Sequence, residues 1–250
     1  MRIAIKFAYD GRNFHGYARQ PNLKTVEGEL INSLIKQGFI KDAKTSLFRS
    51  ASRTDKNVSA LCNVVAFNTN TPQDQILKAL SGSSSSIIAY GRKEVEPTFN
   101  PRHAKLRQYS YYLPASNLDI EKIVSASSCF TGEHDFSNFA KLESFKNPVR
   151  AIDNIVFTSE DDLLIVDFFA QTFLWYQVRR IISALIKIGN GKLEKEQIIE
   201  ALDSPNEKVD FGLAPAEPLI LKDIFYDFDF EHDEKLLSKL NLFLSEFSYK

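Results

Sequence analysis

Hydrophobic periodicity along these 250 residues switches between two and about 3.6, in much the same order on either side of a stretch carrying two prolines. Arg2 to Tyr9 alternates as a strand does, and Asp10-Gly11-Arg12-Asn13 after it is a turn signal. Thr25 is a candidate N-cap, with Glu27 and Glu29 in the first turn and Val26, Leu30, Ile31, Leu34 and Ile35 at helical spacing. Leu47 to Ala51 and Asn63 to Asn68 are β-favouring, Pro72 to Leu80 reads as a second helix, and Ile87 to Tyr90 as a strand. The serine-rich Ser81 to Ser86 reads as a loop inside a domain. Glu94-Val95-Glu96-Pro97-Thr98-Phe99-Asn100-Pro101 then breaks the periodicity, which places a division at Pro97 between halves 1–97 and 98–250.

The second half takes up the same theme. A strand from Gln108 to Leu113 is followed by a helix near Ile120 to Ser127 and a hairpin over Ile155 to Ala170 turning at Ser159-Glu160-Asp161-Asp162. A helix from about Leu174 to Ile188 puts Val178, Ile181, Ile182, Leu185 and Ile188 on one face and stops at Gly189-Asn190-Gly191. Such halves predict an α+β fold of antiparallel sheets with helices on one face, the two halves joining edge to edge into one continuous sheet. After Phe230, the spacing of Leu236, Leu237, Leu240, Phe243, Leu244 and Phe247 predicts a packing helix.

Bulk properties narrow the function classes. Lys and Arg number 31 against 32 Asp and Glu, a formal charge of -1, so a polyanionic partner would need a local basic patch. Cys62 and Cys129 stand far apart with no clustered ligands, which argues against a zinc site or a disulfide framework. The N-terminus alternates instead of presenting an apolar core, and no stretch has the length to span a bilayer, so a cytoplasmic location is expected. The phosphate-binding P-loop, the dinucleotide fingerprint and the zincin helix are all missing from the sequence.

Three places could carry chemistry. Arg53, Thr54, Asp55, Lys56 and Asn57 crowd one connection between β-like runs, and a carboxylate between Arg53 and Lys56 stays ionised because nearby cations favour its charged form. An ionised Asp can act as nucleophile or base, although Asp and Asn are equally at home in plain turns. Asn100 to Tyr112 interleaves Arg102, Lys105 and Arg107 with Tyr109, Tyr111 and Tyr112, as single-stranded RNA recognition requires; alternatively, Tyr109 and Tyr111 pack inward beneath solvated charges. Arg179 and Arg180 interrupt an apolar helix, where a buried Arg would want a carboxylate and an exposed one would snorkel to solvent. His134-Asp135 and His232-Asp233 read as surface turns before they read as ligand sets.

In this order, the segments resemble the TruA family of tRNA pseudouridine synthases. Tyr9 to Gln20 looks like the family's opening strand and loop, and Ser52 to Ala60 like its catalytic loop with the aspartate at Asp55. Phe99 to Tyr112 places Tyr109 on the base-stacking tyrosine, Phe130 to Phe139 resembles a further family element, Phe173 to Ile182 puts the family arginine at Arg179, and Ala214 to Leu221 resembles the closing strand. Six collinear matches cover most of the chain. Departures are Ser52 for the usual Gly, Lys56-Asn57 for an Ala-Gly-like pair, Ser59 where bacterial members carry His, and Pro218 for Gly; the variant looks more archaeal or eukaryotic than bacterial.

The resemblance implies an intramolecular isomerase that turns uridine into pseudouridine with no cofactor and no metal. It implies that Asp55 is the catalytic nucleophile or base, paired with Arg179, that Tyr109 stacks on the uracil, and that Leu219 forms an apolar wall. Arg53 would fill the vacated space or bind a phosphate, with Arg102, Lys105, Arg107 and Lys141 as backbone contacts. The implied partner is tRNA, modified in the anticodon stem-loop at about positions 38 to 40 after the base leaves its helix, by a homodimer. The rival from another class is a catalytically silent RNA-binding protein that kept the fold; it would be expected to lack the carboxylate at 55 or the aromatic at 109, and this chain has both.

Overall fold

The computed structural model describes residues 1–83 and 86–245. In chain order its elements are β1 Arg2–Tyr9, α1 Val26–Lys36, β2 Arg49–Ser50, β3 Ser59–Asn68, α2 Gln73–Ser83, β4 Ile87–Val95, β5 Leu106–Pro114, α3 Ile120–Ser127, β6 Gly132–Asp135, β7 Val149–Ile152, β8 Asn154–Glu160, β9 Leu163–Ala170, α4 Gln177–Gly189, α5 Lys195–Asp203, β10 Leu219–Phe225, β11 Glu231–His232 and α6 Glu234–Ser245. Two compact units result, Met1–Lys105 with the chain from Ile220 onward, and Leu106–Leu219. Each mixes strands and helices, so the predicted α+β class is what forms.

In the first unit the strand order is β11-β4-β1-β3-β10, with β2 on the same β3. β1 lies between β3 and β4, antiparallel to both, and Ile3, Ile5, Phe7 and Tyr9 on one of its faces are fully buried. Burial of each such side chain stabilises by roughly 1.5–3 kcal/mol. Thr25 caps α1 as predicted, its hydroxyl accepting from the Gly28 N–H at 3.3 Å, and Val26, Leu30, Ile31 and Leu34 form the buried stripe. β10 departs from the antiparallel pairing of its neighbours. It runs parallel to β3, Ile220 opposite Ser59 and Leu221 opposite Ala60, as the long crossover separating the two strands in sequence allows.

The second unit holds the antiparallel order β5-β9-β8 and a separate pair, β6-β7. The predicted hairpin is β8-β9, and Val178, Ile181, Ile182, Leu185 and Ile188 of α4 are all buried. Phe130, Phe136 and Phe139 are fully buried in the same unit, with Phe139 stacked on Phe211 at 4.8 Å.

Several boundaries move for local physical reasons. Residues 98–105 belong to the first unit, where Arg2 Nε donates to Phe99 O at 2.8 Å and Tyr226 Oη to Pro101 O at 2.6 Å. The prolines therefore end a strand and not a unit, and the chain's later return at Ile220 has no local signature. α2 continues through Ser81 to Ser83, read as loop; Ser84 and Ser85 lie outside the described residues. α4 begins at Gln177 and not near Leu174, because Tyr176 adopts a left-handed backbone with φ 67° and the Gln177 carboxamide accepts from the Leu174 N–H at 2.8 Å. His134-Asp135, expected as a surface turn, lies in β6, paired with β7, and His232 of the second such pair ends β11. α5 escaped the sequence reading, although Glu194 and Gln197 form a capping box ahead of buried Ile198, Ala201 and Leu202. The C-terminal helix is α6, burying Leu236, Leu240 and Phe243; Phe247 lies outside the described residues.

Candidate active site

Asp55 sits in the connection from β2 to β3, in the first unit. Ala51 extends the β2-β3 pairing, its N–H donating to Val64 O at 2.8 Å, and the chain then leaves the sheet for seven residues before Ser59. The exit is held by Asn63, a fully buried side chain inside β3. Its carboxamide donates to Ser52 O at 3.0 Å and accepts from Ser52 N–H at 3.3 Å, imitating the peptide pairing that the bulging loop gives up.

Three further contacts set the loop's course. Thr54 is buried, its hydroxyl 2.8 Å from that of Tyr9 and its carbonyl accepting from Tyr17 N–H at 3.1 Å. Asp55 O accepts from Val58 N–H at 3.2 Å, which closes a turn with Asn57 at φ 69°. Asn is the side chain best able to replace Gly in that left-handed region, so the Lys56-Asn57 departure preserves the turn. Ser59 replaces the bacterial His with a hydroxyl that accepts from Gly11 N–H at 3.0 Å. The result buries Thr54 and Val58 while Arg53 and Lys56 are exposed and Asp55 is half-buried.

The loop also rests directly on the segment after β1. A Cβ on Gly11 would stand 2.1 Å from Val58 O and 2.4 Å from its carbonyl carbon, and one on Gly16, where φ is 92°, would stand 3.3 Å from Lys56 N. Backbone therefore lies on backbone, which binds the Tyr9 to Gln20 and Ser52 to Ala60 matches into one construction. Asp10 is engaged nearby by Arg12, whose Nε and Nη2 each approach it at 2.9 Å. Behind the loop, burial pushes the fully buried Tyr17 hydroxyl well above the usual phenol range, with Ser50 counteracting. That phenol stays neutral.

The second unit carries Tyr109, Arg179 and Leu219. Tyr109 and Tyr111 share a face of β5 and are both buried, at 9% and 1% exposure. Tyr109 meets Phe173 edge to face, centroids 5.2 Å apart, which fixes its ring plane. Arg179 and Ala214 exchange two bonds: Arg179 Nε donates to Ala214 O at 2.8 Å and Ala214 N–H to Arg179 O at 3.2 Å. Tyr111 Oη donates to Pro215 O at 3.2 Å, and Tyr112 N–H to Pro218 O at 3.1 Å. The segment Ala214 to Pro218 is thus clasped along its length, and Leu219, 5% exposed, follows it. Burial raises the Tyr111 hydroxyl to about 12, opposed by nearby Arg179 and reinforced by Glu217. Arg180 reaches outward to Asp210 at 2.9 Å, the snorkelling expected of a helical arginine.

The expected RNA-backbone residues divide. Arg102 and Lys105 are exposed in the first unit, Lys105 bridged to exposed Asp227, a pairing that water screens to little. Arg107 is only 5% exposed and its guanidinium donates to Gln171 O, so it has almost no surface to offer a phosphate. Lys141 is exposed in the second unit. Sequence reasoning missed the supporting residues. Gly11 and Gly16 were visible within a matched segment, but Asn63 looks like any polar position of an alternating strand.

A family model for tRNA pseudouridine synthase matches residues 126–227. The chain is 44% identical over 244 residues to tRNA pseudouridine synthase A of Thermococcus sibiricus, covering 96% of this chain and 91% of the relative. It is 43% identical over 242 residues to that of Pyrococcus abyssi, and 39% identical over 235 residues to that of Methanococcoides burtonii, covering 96% and 92% of this chain and 90% and 85% of the relatives. Among solved structures, a chain from an H/ACA RNP bound to a substrate RNA containing 2'-deoxyuridine matches at 11% identity and a TM-score of 0.34, over 87% of this chain and 68% of that one. With 39–44% identity to such relatives over nearly its whole length, the chain belongs to the TruA, or tRNA pseudouridine synthase A, family.

Proposed function

We infer that this protein is an enzyme that isomerises uridine to pseudouridine in the anticodon stem-loop of tRNA, with Asp55 as its catalytic carboxylate. The observation that carries the reading is the near-complete match to named tRNA pseudouridine synthases A in a chain whose Arg53-Thr54-Asp55 core is present. The reaction breaks the C1'–N1 bond of uridine and forms C1'–C5, while C5 loses a proton and N1 gains one, so atoms balance without oxidant, reductant or nucleotide. Asp55 starts it either by attacking C1' or by taking a proton from the sugar. Arg179 supplies compensating positive charge, Tyr109 stacks on the uracil and assists removal of the C5 proton, and Leu219 gives the base an apolar wall. Arg53 takes the place of the extruded base or holds its phosphate, and Arg102, Lys105 and Lys141 neutralise the RNA backbone. Arg107 has no such role in this reading, since it is buried at its own strand end.

A cytoplasmic homodimer completes the proposal, because two copies double each basic patch on a chain of near-zero net charge. The deciding experiment incubates the protein with unmodified tRNA transcripts and maps pseudouridine by carbodiimide-dependent primer extension. Wild type is expected to create a new stop in the anticodon stem-loop, and Asp55→Ala none while its melting temperature is kept. Absence of any new site with wild type, or undiminished activity in Asp55→Ala, would overturn the assignment.

A further inference from the structure

Trp175 is the single tryptophan of the chain, and the left-handed turn at Tyr176 keeps it off α4. It is 42% exposed. One exposed aromatic is ordinary on any surface. What surrounds this one is less so. The Lys141 ammonium stands 4.1 Å from the indole centroid, and the two residues are also joined through their backbones, Lys141 N–H donating to Trp175 O at 2.8 Å. Tyr176 follows, its ring 5.1 Å from the indole, and the Arg179 guanidinium lies 5.2 Å from the centre of that phenol. Two rings and two cations are therefore interleaved within the second unit.

The segment that begins at Lys141 adds a third aromatic. Phe145 is fully exposed in a turn closed by Lys146 N–H on Glu143 O at 3.1 Å, with a left-handed φ of 67° that a bulky residue rarely adopts. A partner protein's apolar face would find cations standing over the Trp175 and Tyr176 rings, whereas an unpaired nucleotide presents what they match: a flat base for the indole and an anionic phosphate for the ammonium. Every base has such a face, so the contact grips without reading sequence.

We propose that Trp175 and Lys141 form a stacking site for an unpaired nucleotide of the tRNA substrate, other than the uridine that reacts. The proposal rests on the tRNA reading above, and its test separates the two. With one tryptophan, emission excited selectively at the indole, beyond the tyrosine absorption band, reports on this position alone. Unmodified tRNA transcript is titrated into the Asp55→Ala protein, which cannot turn over, with filter retention measured in parallel. The expected result is saturable quenching that tracks retention, with far weaker quenching by a fully paired RNA duplex of equal mass. Trp175→Ala should weaken tRNA retention about tenfold to a hundredfold, Trp175→Phe should restore most of it, and Lys141→Ala should lower the slope of log affinity against log salt by about one. In turnover by the otherwise wild-type enzyme, Trp175→Ala should raise KM with kcat nearly unchanged, which a merely structural role would not do. Retention of tRNA with unaltered emission, or undiminished affinity in Trp175→Ala, would overturn the stacking site and leave the enzymatic reading standing. Failure of tRNA to be retained at all would overturn both.

Discussion

The Asp55 loop and the Arg179 clasp are held by opposite means. In the first unit, backbone lies on backbone: Gly11 and Gly16 permit the approach, Asn57 turns the chain, and one buried carboxamide takes over the pairing lost at Ser52. In the second unit, long side chains reach across to carbonyls, Arg179 to Ala214 and Tyr111 to Pro215. Backbone packing leaves no room for one added methyl group, whereas a side-chain bond can be lost singly while its neighbours persist. The carboxylate expected to act chemically is thus placed by the less forgiving device.

Gly11→Ala should be the most damaging change, since its Cβ would stand 2.1 Å from Val58 O, far inside van der Waals contact. Overpacking of backbone by that amount should cost roughly 3 kcal/mol or more, read as a melting temperature lower by about 10 °C and a collapse of pseudouridine formation. A near-normal melting curve would mean the loop yields, and the comparison would fail. Asn63→Leu comes next. It leaves both backbone groups of Ser52 without their buried partner, a loss of about 2–3 kcal/mol in urea unfolding. An unchanged midpoint would show that the glycine contacts suffice without the carboxamide.

Tyr111→Phe probes the clasp and should cost only about 1 kcal/mol at neutral pH, one hydrogen bond among several. Its pH dependence sharpens the point. The folded-state value of about 12 lies above the ordinary 10.0, so the unfolded chain ionises first and wild-type stability declines as pH rises from 10 to 12. Below pH 10 this penalty is absent. The stability gap between wild type and Tyr111→Phe should therefore narrow through that window, and a constant gap would refute the buried phenol. The smallest effect is expected for Asn57→Gly, within about 0.5 kcal/mol, because Asn already tolerates the left-handed turn; Asn57→Val should cost about 1–2 kcal/mol.

Much of this was legible in the chain. The α1 stripe under Thr25, the α4 stripe and the β8-β9 hairpin follow from periodicity and capping, which are local properties. Less was legible where distant segments meet. Nothing at Ile220 says that the chain rejoins its first unit, and the left-handed residue at Tyr176 cannot be told from a helical one when Val178 onward has perfect helical spacing. Arg107 reads as an ideal phosphate contact until Gln171 covers it. The candidate residues Asp55, Tyr109 and Arg179 stand out only because each has the type the expected chemistry needs at its place in an ordered series.

The sequence by itself determined the α+β class and the family, and it marks Asp55 as the carboxylate expected to act, because periodicity and motif order are written in neighbouring residues. Only the tertiary structure decided how the altered loop keeps its shape: Asn57 supplies the positive φ, Ser59 bonds Gly11, and Asn63 stands in for a missing strand partner. Buried polar groups must find partners, and which residue provides them depends on where remote segments come to rest.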